Sequence, residues 1–148
     1  MNVIQATTDH LPLLVPLFDA YRKFYEQQSD LSGAAAFLGE RLRNRDSVIF
    51  LATDGSGPAL GFVQLYPAFS SVSMKRLWML NDLFVTHAAR HKGVAEALLR
   101  RSAVMAKETK SKGLVLETGV NNNPAKKLYE KCGWTKEQEF DRYFLYLP

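Results

Sequence analysis

The sequence predicts an α/β fold in a single domain, a central twisted mixed β-sheet with flanking helices, and three observations carry that prediction. Apolar residues recur at helical spacing in four separate stretches, and between them lie short runs rich in Val, Ile, Leu and Phe that read as strands. Residues 74–85, 94–108 and 114–118 form a strand, helix, strand series, which argues for adjacent parallel strands joined by a right-handed crossover. No linker, internal repeat or low-complexity block divides the 148 residues, a length that suits one core burying about two-thirds of the unfolded surface.

Residues 2–5 read as an edge strand, and Thr8 is placed to cap a helix over residues 9–27, with Pro12 tolerated near its first turn. Leu14, Leu17, Phe18, Tyr21, Phe24 and Tyr25 form the apolar stripe of that helix. Packing accounts for most of the stripe. Its end also brings Tyr21 and Tyr25 near Glu26 and Asp30, and aromatic faces beside carboxylates suit a cationic substrate. Residues 31–44 read as a second helix with Ala34, Phe37, Leu38 and Leu42 near one face, and Gly33 and Gly39 leave open one bent helix or two short ones.

Residues 47–53 and 59–66 predict an antiparallel hairpin about a turn at 54–58, followed by a polar, aromatic break at 67–73. The extended stretch 74–85 then alternates, with Trp78, Leu80, Asp82 and Phe84 on one face. Past the next helix, residues 114–118 enter a polar loop. A last helix starts near Asn123 or Pro124, carries Ala125, Leu128 and Tyr129, and stops at Cys132 and Gly133. Residues 134–138 and 142–147 are expected to pair as terminal strands.

The junction at residues 80–99 joins a buried strand to a helix through a basic turn. A helix start leaves backbone N–H groups without intrahelical partners, and its dipole favours negative charge. Gly93 permits close backbone approach, Val94 and Ala95 add little bulk, and Arg90, His91 and Lys92 supply positive charge, which makes an anion site. A solvated turn is the plainer alternative. The turn lacks the Gly-Lys-Ser/Thr ending of a nucleotide triphosphate loop and the repeated glycines of a dinucleotide fingerprint.

The net charge of +4 comes from 19 basic against 15 acidic residues, with much of the excess between His87 and Lys131. No zinc-finger, RNP or basic-zipper pattern accompanies it, so a phosphate-bearing cofactor explains the charge better than nucleic acid does. His10, His87 and His91 lack zinc-binding spacing, and no metal is expected. Cys132 has no partner for an internal disulfide, which suits a reducing, cytoplasmic setting. With no basic-then-apolar leader and no apolar run near 20 residues, neither secretion nor membrane insertion is expected.

The series Arg90-His91-Lys92-Gly93-Val94-Ala95, preceded by Asn81-Asp82-Leu83-Phe84-Val85, resembles the acetyl-coenzyme A motif of the GNAT family of N-acetyltransferases. In that motif a basic or Gln residue is followed by two variable residues, Gly, one variable residue, and Gly or Ala. A second likeness lies at Asn122-Asn123-Pro124-Ala125-Lys126-Lys127-Leu128-Tyr129-Glu130-Lys131-Cys132-Gly133-Trp134. The resemblance covers essentially the whole chain. Within the family it looks most similar to the branch near the yeast histone and polyamine N-acetyltransferases, through residues 21–25, Gln64-Leu65-Tyr66-Pro67 and residues 81–85.

That resemblance implies a GNAT-like sheet whose middle strands splay apart between Val85 and Thr118, leaving backbone groups open to an amide-bearing cofactor arm. It implies that the backbone of Leu83, Phe84 and Val85 binds the pantetheine arm of acetyl-CoA and orients the acetyl carbonyl. The amides of Arg90, His91, Lys92, Gly93, Val94 and Ala95 then take the pyrophosphate, with Asn122 and Ala125 as further cofactor contacts. Tyr129 is implied as proton donor to the departing thiolate, and Glu117 or Asp82 as acceptor of the amine proton. Tyr21, Tyr25, Glu26 and Tyr66 would border the acceptor. No Cys-His-Asp arrangement surrounds Cys132, so the implied transfer is direct, to a primary amine of a small molecule, polyamine, amino acid or peptide. A homodimer is also implied, and a noncatalytic coenzyme A-binding regulatory domain is the alternative function.

Overall fold

A computed structural model describes residues 1–148. They divide into two compact units, Met1–Glu117 and Thr118–Pro148.

The first unit is built on a five-stranded sheet: β1 (Asn2–Gln5), β2 (Val48–Thr53), β3 (Gly61–Ser70), β4 (Lys75–Val85) and β5 (Leu114–Leu116), side by side in that order. β1 through β4 pair antiparallel, and β5 runs parallel to β4. Three helices cover it: α1 (Leu11–Phe24), α2 (Leu31–Asn44) and α3 (Val94–Glu108). Leu14, Leu17 and Phe18 of α1 and Ala34 and Leu38 of α2 pack on Ile49, Leu51 and Phe62 of the sheet. The alternate residues face α3, as shown by the Arg101 guanidinium 4.5 Å from the Phe50 ring and by the Trp78 indole N–H donating to Thr109 Oγ1 at 2.8 Å.

Two helix starts show how local chemistry sets the boundaries. The cap of the first helical segment is Thr7, not Thr8 as the sequence suggests: Thr7 Oγ1 accepts from Asp9 N–H, while His10 Nδ1 accepts from Thr7 N–H. This reciprocal box closes a 3-10 turn at Thr8–His10, and α1 follows with Pro12 in its first turn, where no N–H is needed. α1 ends at Phe24, and the left-handed Glu26 (φ 63°) turns the chain away. α2 is one unbroken helix, capped by the Asp30 carboxylate accepting from Gly33 N–H at 2.9 Å.

The sheet departs from its sequence reading in two places. Residues 67–73 do not break the extension, because β3 continues through Pro67 to Ser70 and stays paired with β4. Proline is tolerated there because the β2 ladder has already ended at Val48 opposite Leu65, which leaves β3 a free edge. The second departure is a register shift: Gln64 lies opposite Asp82 but Leu65 lies opposite Leu80, so Asn81 is an extra, bulged residue. The bulge resets the alternation, and Trp78 and Leu80 face α3 whereas Asp82 and Phe84 face α1. The expectation that all four share one face is therefore wrong.

The second unit contains α4 (Asn123–Lys131). Asn122 Oδ1 accepts from Ala125 N–H, and Gly133 (φ 90°) ends the helix in a left-handed conformation that suits glycine. The terminal strands expected at 134–138 and 142–147 are not formed; residues past α4 carry no strand, and Tyr143, Leu145 and Tyr146 are exposed. Strand-forming residue types express a preference for a packed, half-buried surface, which becomes a strand only where a ladder partner supplies one.

Candidate active site

The bulge at Asn81 aims Asp82 toward α1, where the residue is 5% exposed. An ionised carboxylate that deep needs donors to replace water. Gln64 Nε2 donates to Asp82 Oδ2 at 2.7 Å, Asn81 Nδ2 donates to Oδ1 at 3.1 Å, and the Tyr21 hydroxyl faces the carboxylate as a third donor. Burial pushes the Asp82 carboxyl above its ordinary value, and these three donors pull it back only in part.

Two tyrosines share this carboxylate. Burial, and then the charge of Asp82, push Tyr66 up to about 12; the same two causes, in the same order, push Tyr21 higher still. Both phenols therefore stay neutral through the physiological range. The Tyr21 ring meets Tyr25 edge-on at 5.1 Å, Phe62 at 5.7 Å and Phe84 at 6.1 Å, so packing fixes where its hydroxyl points. The structure thus brings Tyr21, Tyr25, Tyr66 and Asp82 together. Glu26 lies outside this group, exposed on its left-handed turn.

β4 outruns β5. Their parallel pairing covers only Trp78 to Leu80, opposite Leu114 to Leu116, whereas β4 continues through Leu83, Phe84 and Val85 paired with β3 alone. β3 holds this stretch at close range: a Cβ on Gly61 would fall 2.6 Å from the Phe84 carbonyl oxygen, which only glycine avoids. The far edge of β4 at residues 81–85 is open to an added partner, the splay the sequence leads one to expect.

Beyond Val85 the chain passes a 3-10 turn at His87–Ala89 and reaches the start of α3. His91 (φ 61°) and Gly93 (φ 80°) are both left-handed, and Gly93 occupies the cap position, where it offers no side-chain acceptor. Val94 is buried and Ala95 half-buried, so at the helix start these residues present backbone rather than side chain. His91 and Lys92 are exposed. Arg90 instead folds back on β4: its Nε donates to the Val85 carbonyl at 3.3 Å and its guanidinium lies 5.7 Å from the Phe24 ring centre.

Residues 14–134 match the acetyltransferase (GNAT) family. The chain belongs to that family. It is 47% identical over 148 residues, all of this chain and 99% of the other, to the uncharacterized N-acetyltransferase YhfO of Bacillus subtilis (strain 168). It is 33% identical over 141 residues, 88% of this chain and 97% of the relative, to a probable acetyltransferase of Haemophilus influenzae. A crystal structure of a probable acetyltransferase superposes with a TM-score of 0.95 at 45% identity, covering 100% of this chain and 99% of that one. The fold is thus the GNAT α/β fold, and this GNAT enzyme transfers the acetyl group of acetyl-CoA to an amine acceptor.

Two features of the GNAT chain fit the cosubstrate: the uncapped start of α3 suits a pyrophosphate, and the open edge of β4 suits amide groups in extension. No group of three or more His, Cys, Asp or Glu side chains is placed to hold a metal ion, and no helix is long and apolar enough to cross a membrane. Glu117 is exposed just after β5. In the second unit Asn122 is exposed at its cap, Ala125 is half-buried, and the half-buried Tyr129 ring lies 6.2 Å from Trp134. Sequence reasoning missed the partners of Asp82, the buried Gln64 and the neighbouring Asn81, and the buried Ser47 that bonds Gln64 in turn. The available signal was a lone amide in the apolar run Phe62-Val63-Gln64-Leu65.

Proposed function

We propose that residues 1–148 act as one N-acetyltransferase domain for a primary amine, in which Asp82 receives the amine proton by way of the Tyr21 hydroxyl. The observation that carries this reading is a half-buried phenol set against a buried carboxylate that Gln64 and Asn81 hold in place. As the amine nitrogen becomes bonded to the acyl carbon and the thioester C–S bond breaks, the amine proton passes to Tyr21 Oη while the phenolic proton passes to Asp82, and the departing thiolate would take its proton from Tyr129. The phenol never becomes a free phenolate, which its raised pKa would oppose. Bound acetyl-CoA supplies the activated thioester carbonyl.

Asp82 is preferred to Glu117 because Tyr21 and Tyr66, both expected beside the acceptor, converge on it, whereas Glu117 is exposed past β5. The backbone of Leu83, Phe84 and Val85 would hold the cofactor arm, and the turn from Arg90 to Ala95 the pyrophosphate. The roles of Asn122, Ala125 and Tyr129 rest on the family likeness of their segment. The narrower likeness, to the yeast histone and polyamine branch, makes small polyamines the first acceptors to try, and a cytoplasmic homodimer is the assembly this reading carries with it.

The test is purified protein with radiolabelled acetyl-CoA and a panel of primary amines, including polyamines, amino acids and peptides. Acetylated product from at least one amine, lost in Asp82→Asn, is the expected result. Product formation unaffected by Asp82→Asn would overturn the assignment of Asp82, and sedimentation at several concentrations reads the dimer.

A further inference from the structure

Gln64 has no exposed surface and sits between Val63 and Leu65, both equally buried. An amide in such a place costs free energy unless every part of it is bonded, and an apolar residue would fill the same space without that cost. Its bonds run in one direction. Ser47 Oγ donates to Gln64 Oε1 at 3.0 Å, and Gln64 Nε2 donates to Asp82 Oδ2 at 2.7 Å. The carboxylate needs a donor, which orients the amide, and the Ser47 hydroxyl satisfies the carbonyl end. The chain of donors therefore runs from Ser47 through Gln64 to Asp82, and Asn81 and Tyr21 face the same carboxylate as donors.

No lysine or arginine pairs with Asp82. The groups that face it are Tyr21 from α1, Gln64 and Tyr66 from β3, and Asn81 from its own strand. Tyr25 acts on Tyr21, and Arg41 and Asp46 act on Tyr66, all at one remove. Arg41 is engaged with Asp46 at 2.8 Å and Glu40 at 3.1 Å. Neutral donors rather than a counter-cation thus offset the burial of this charge, and Gln64 makes the shortest measured bond among them.

We propose that Gln64, held by Ser47, is a positioning residue for acetyl transfer: it keeps the Asp82 carboxylate charged and fixed against the Tyr21 hydroxyl. The proposal rests on the reading of Asp82 as the proton acceptor. Gln64 itself touches no substrate; it acts by lowering the proton affinity of Asp82 and restricting its rotamer.

The experiment is a carbon-13 carboxyl NMR titration of Asp82 in the full, free chain, for wild type, Gln64→Leu and Ser47→Ala, alongside the pH profile of kcat/KM with an amine accepted in the panel. Gln64→Leu is expected to raise the Asp82 midpoint by about one unit, a tenfold change in proton affinity, and to move the acid limb of kcat/KM with it. Ser47→Ala keeps Gln64 in place and is expected to give a smaller shift of the same sign, so it decides the matter if Gln64→Leu does not fold. Variants that lose only thermal stability, with the midpoint and acid limb unmoved, overturn the inference. The profile of Asp82→Asn separates the two readings. If that variant abolishes the acid limb while Gln64→Leu leaves it in place, Gln64 alone is wrongly assigned; if Asp82→Asn keeps the limb, the Asp82 reading fails and the inference fails with it.

Discussion

Asp82 stands directly opposite Gln64 across the β3–β4 ladder and accepts its amide proton at 2.7 Å, one residue past the bulge at Asn81. Were Asn81 paired in regular alternation instead of bulged, Asp82 would fall on the face of Trp78 and Leu80, against α3 and away from Tyr21. The bulge thus decides whether the carboxylate meets the tyrosines, and β4 is free to bulge there because its pairing with β5 has just ended.

Replacing Asp82 with Asn is expected to lower acetyl transfer by about 10²- to 10⁴-fold while the fold is retained. Stability should move the other way. Because the folded carboxyl lies above its ordinary value of 3.8, folding binds more protons between the two values, and stability falls as pH rises through that window. Above it the burial cost is complete, so Asp82→Asn is expected to be as stable as wild type or more so at neutral pH, with any advantage shrinking on acidification. Denaturant unfolding at neutral and acid pH measures this, and a neutral-pH loss that grows with pH would contradict it.

The turn before α3 allows a sharper test of why Gly93 is glycine. A Cβ there meets no atom within 4 Å, so crowding of the chain itself is not the reason; the left-handed φ of 80° is. Gly93→Ala is expected to cost about 1–2 kcal/mol of strain, weakening acetyl-CoA binding by about tenfold where the turn relaxes. Gly93→Asn should bind better than Gly93→Ala despite its larger side chain, because Asn visits this conformation readily. Calorimetric titration ranks the two, and the reverse order would point to bulk at the phosphate instead.

Asp19 ties the loop between α1 and α2, accepting from Ser29 Oγ and from Asp30 N–H, each at 2.7 Å. The backbone bond first, and the hydroxyl next, hold its carboxyl below the ordinary 3.8. A depressed folded pKa stabilises the protein above the unfolded value, and that stability is lost as pH falls through the folded one. Asp19→Asn is accordingly expected to be destabilised near neutrality, with the difference from wild type narrowing as pH falls below the ordinary carboxylate value. Equal destabilisation at both pH values would show that packing, not charge, is lost.

Much of this architecture is legible in residue order because local and tertiary signals agree. α2 begins and ends where its periodicity does, at Leu31 and Asn44, and the turn from Arg90 to Ala95 falls at a strand-to-helix junction in both readings. What escaped depends on partners distant in sequence. Nothing local marks Asn81 as bulged, since the shift exists only relative to β3, and so the faces of Asp82 and Phe84 were legible only with the register in hand. Pro67 reads as a breaker until the end of β2 frees its edge. Thr7 and Thr8 are equally good caps on paper, and His10 chooses between them by closing the box.

Tyr129→Phe tests the proton donor to the leaving thiol. The substitution keeps a ring of the same shape, and so the packing of residue 129 against Trp134, 6.2 Å between ring centres, and the helix α4 around it should persist. What disappears is one phenolic donor. Circular dichroism and acetyl-CoA titration first establish that the variant folds and binds normally. A rapid-mix, single-turnover measurement of acetylated amine then isolates the chemical step from product release, and it is expected to slow by about 10²- to 10³-fold. An unchanged single-turnover rate would remove Tyr129 as the acid even if steady-state turnover fell, because slow product release alone can lower kcat without touching the bond-breaking step.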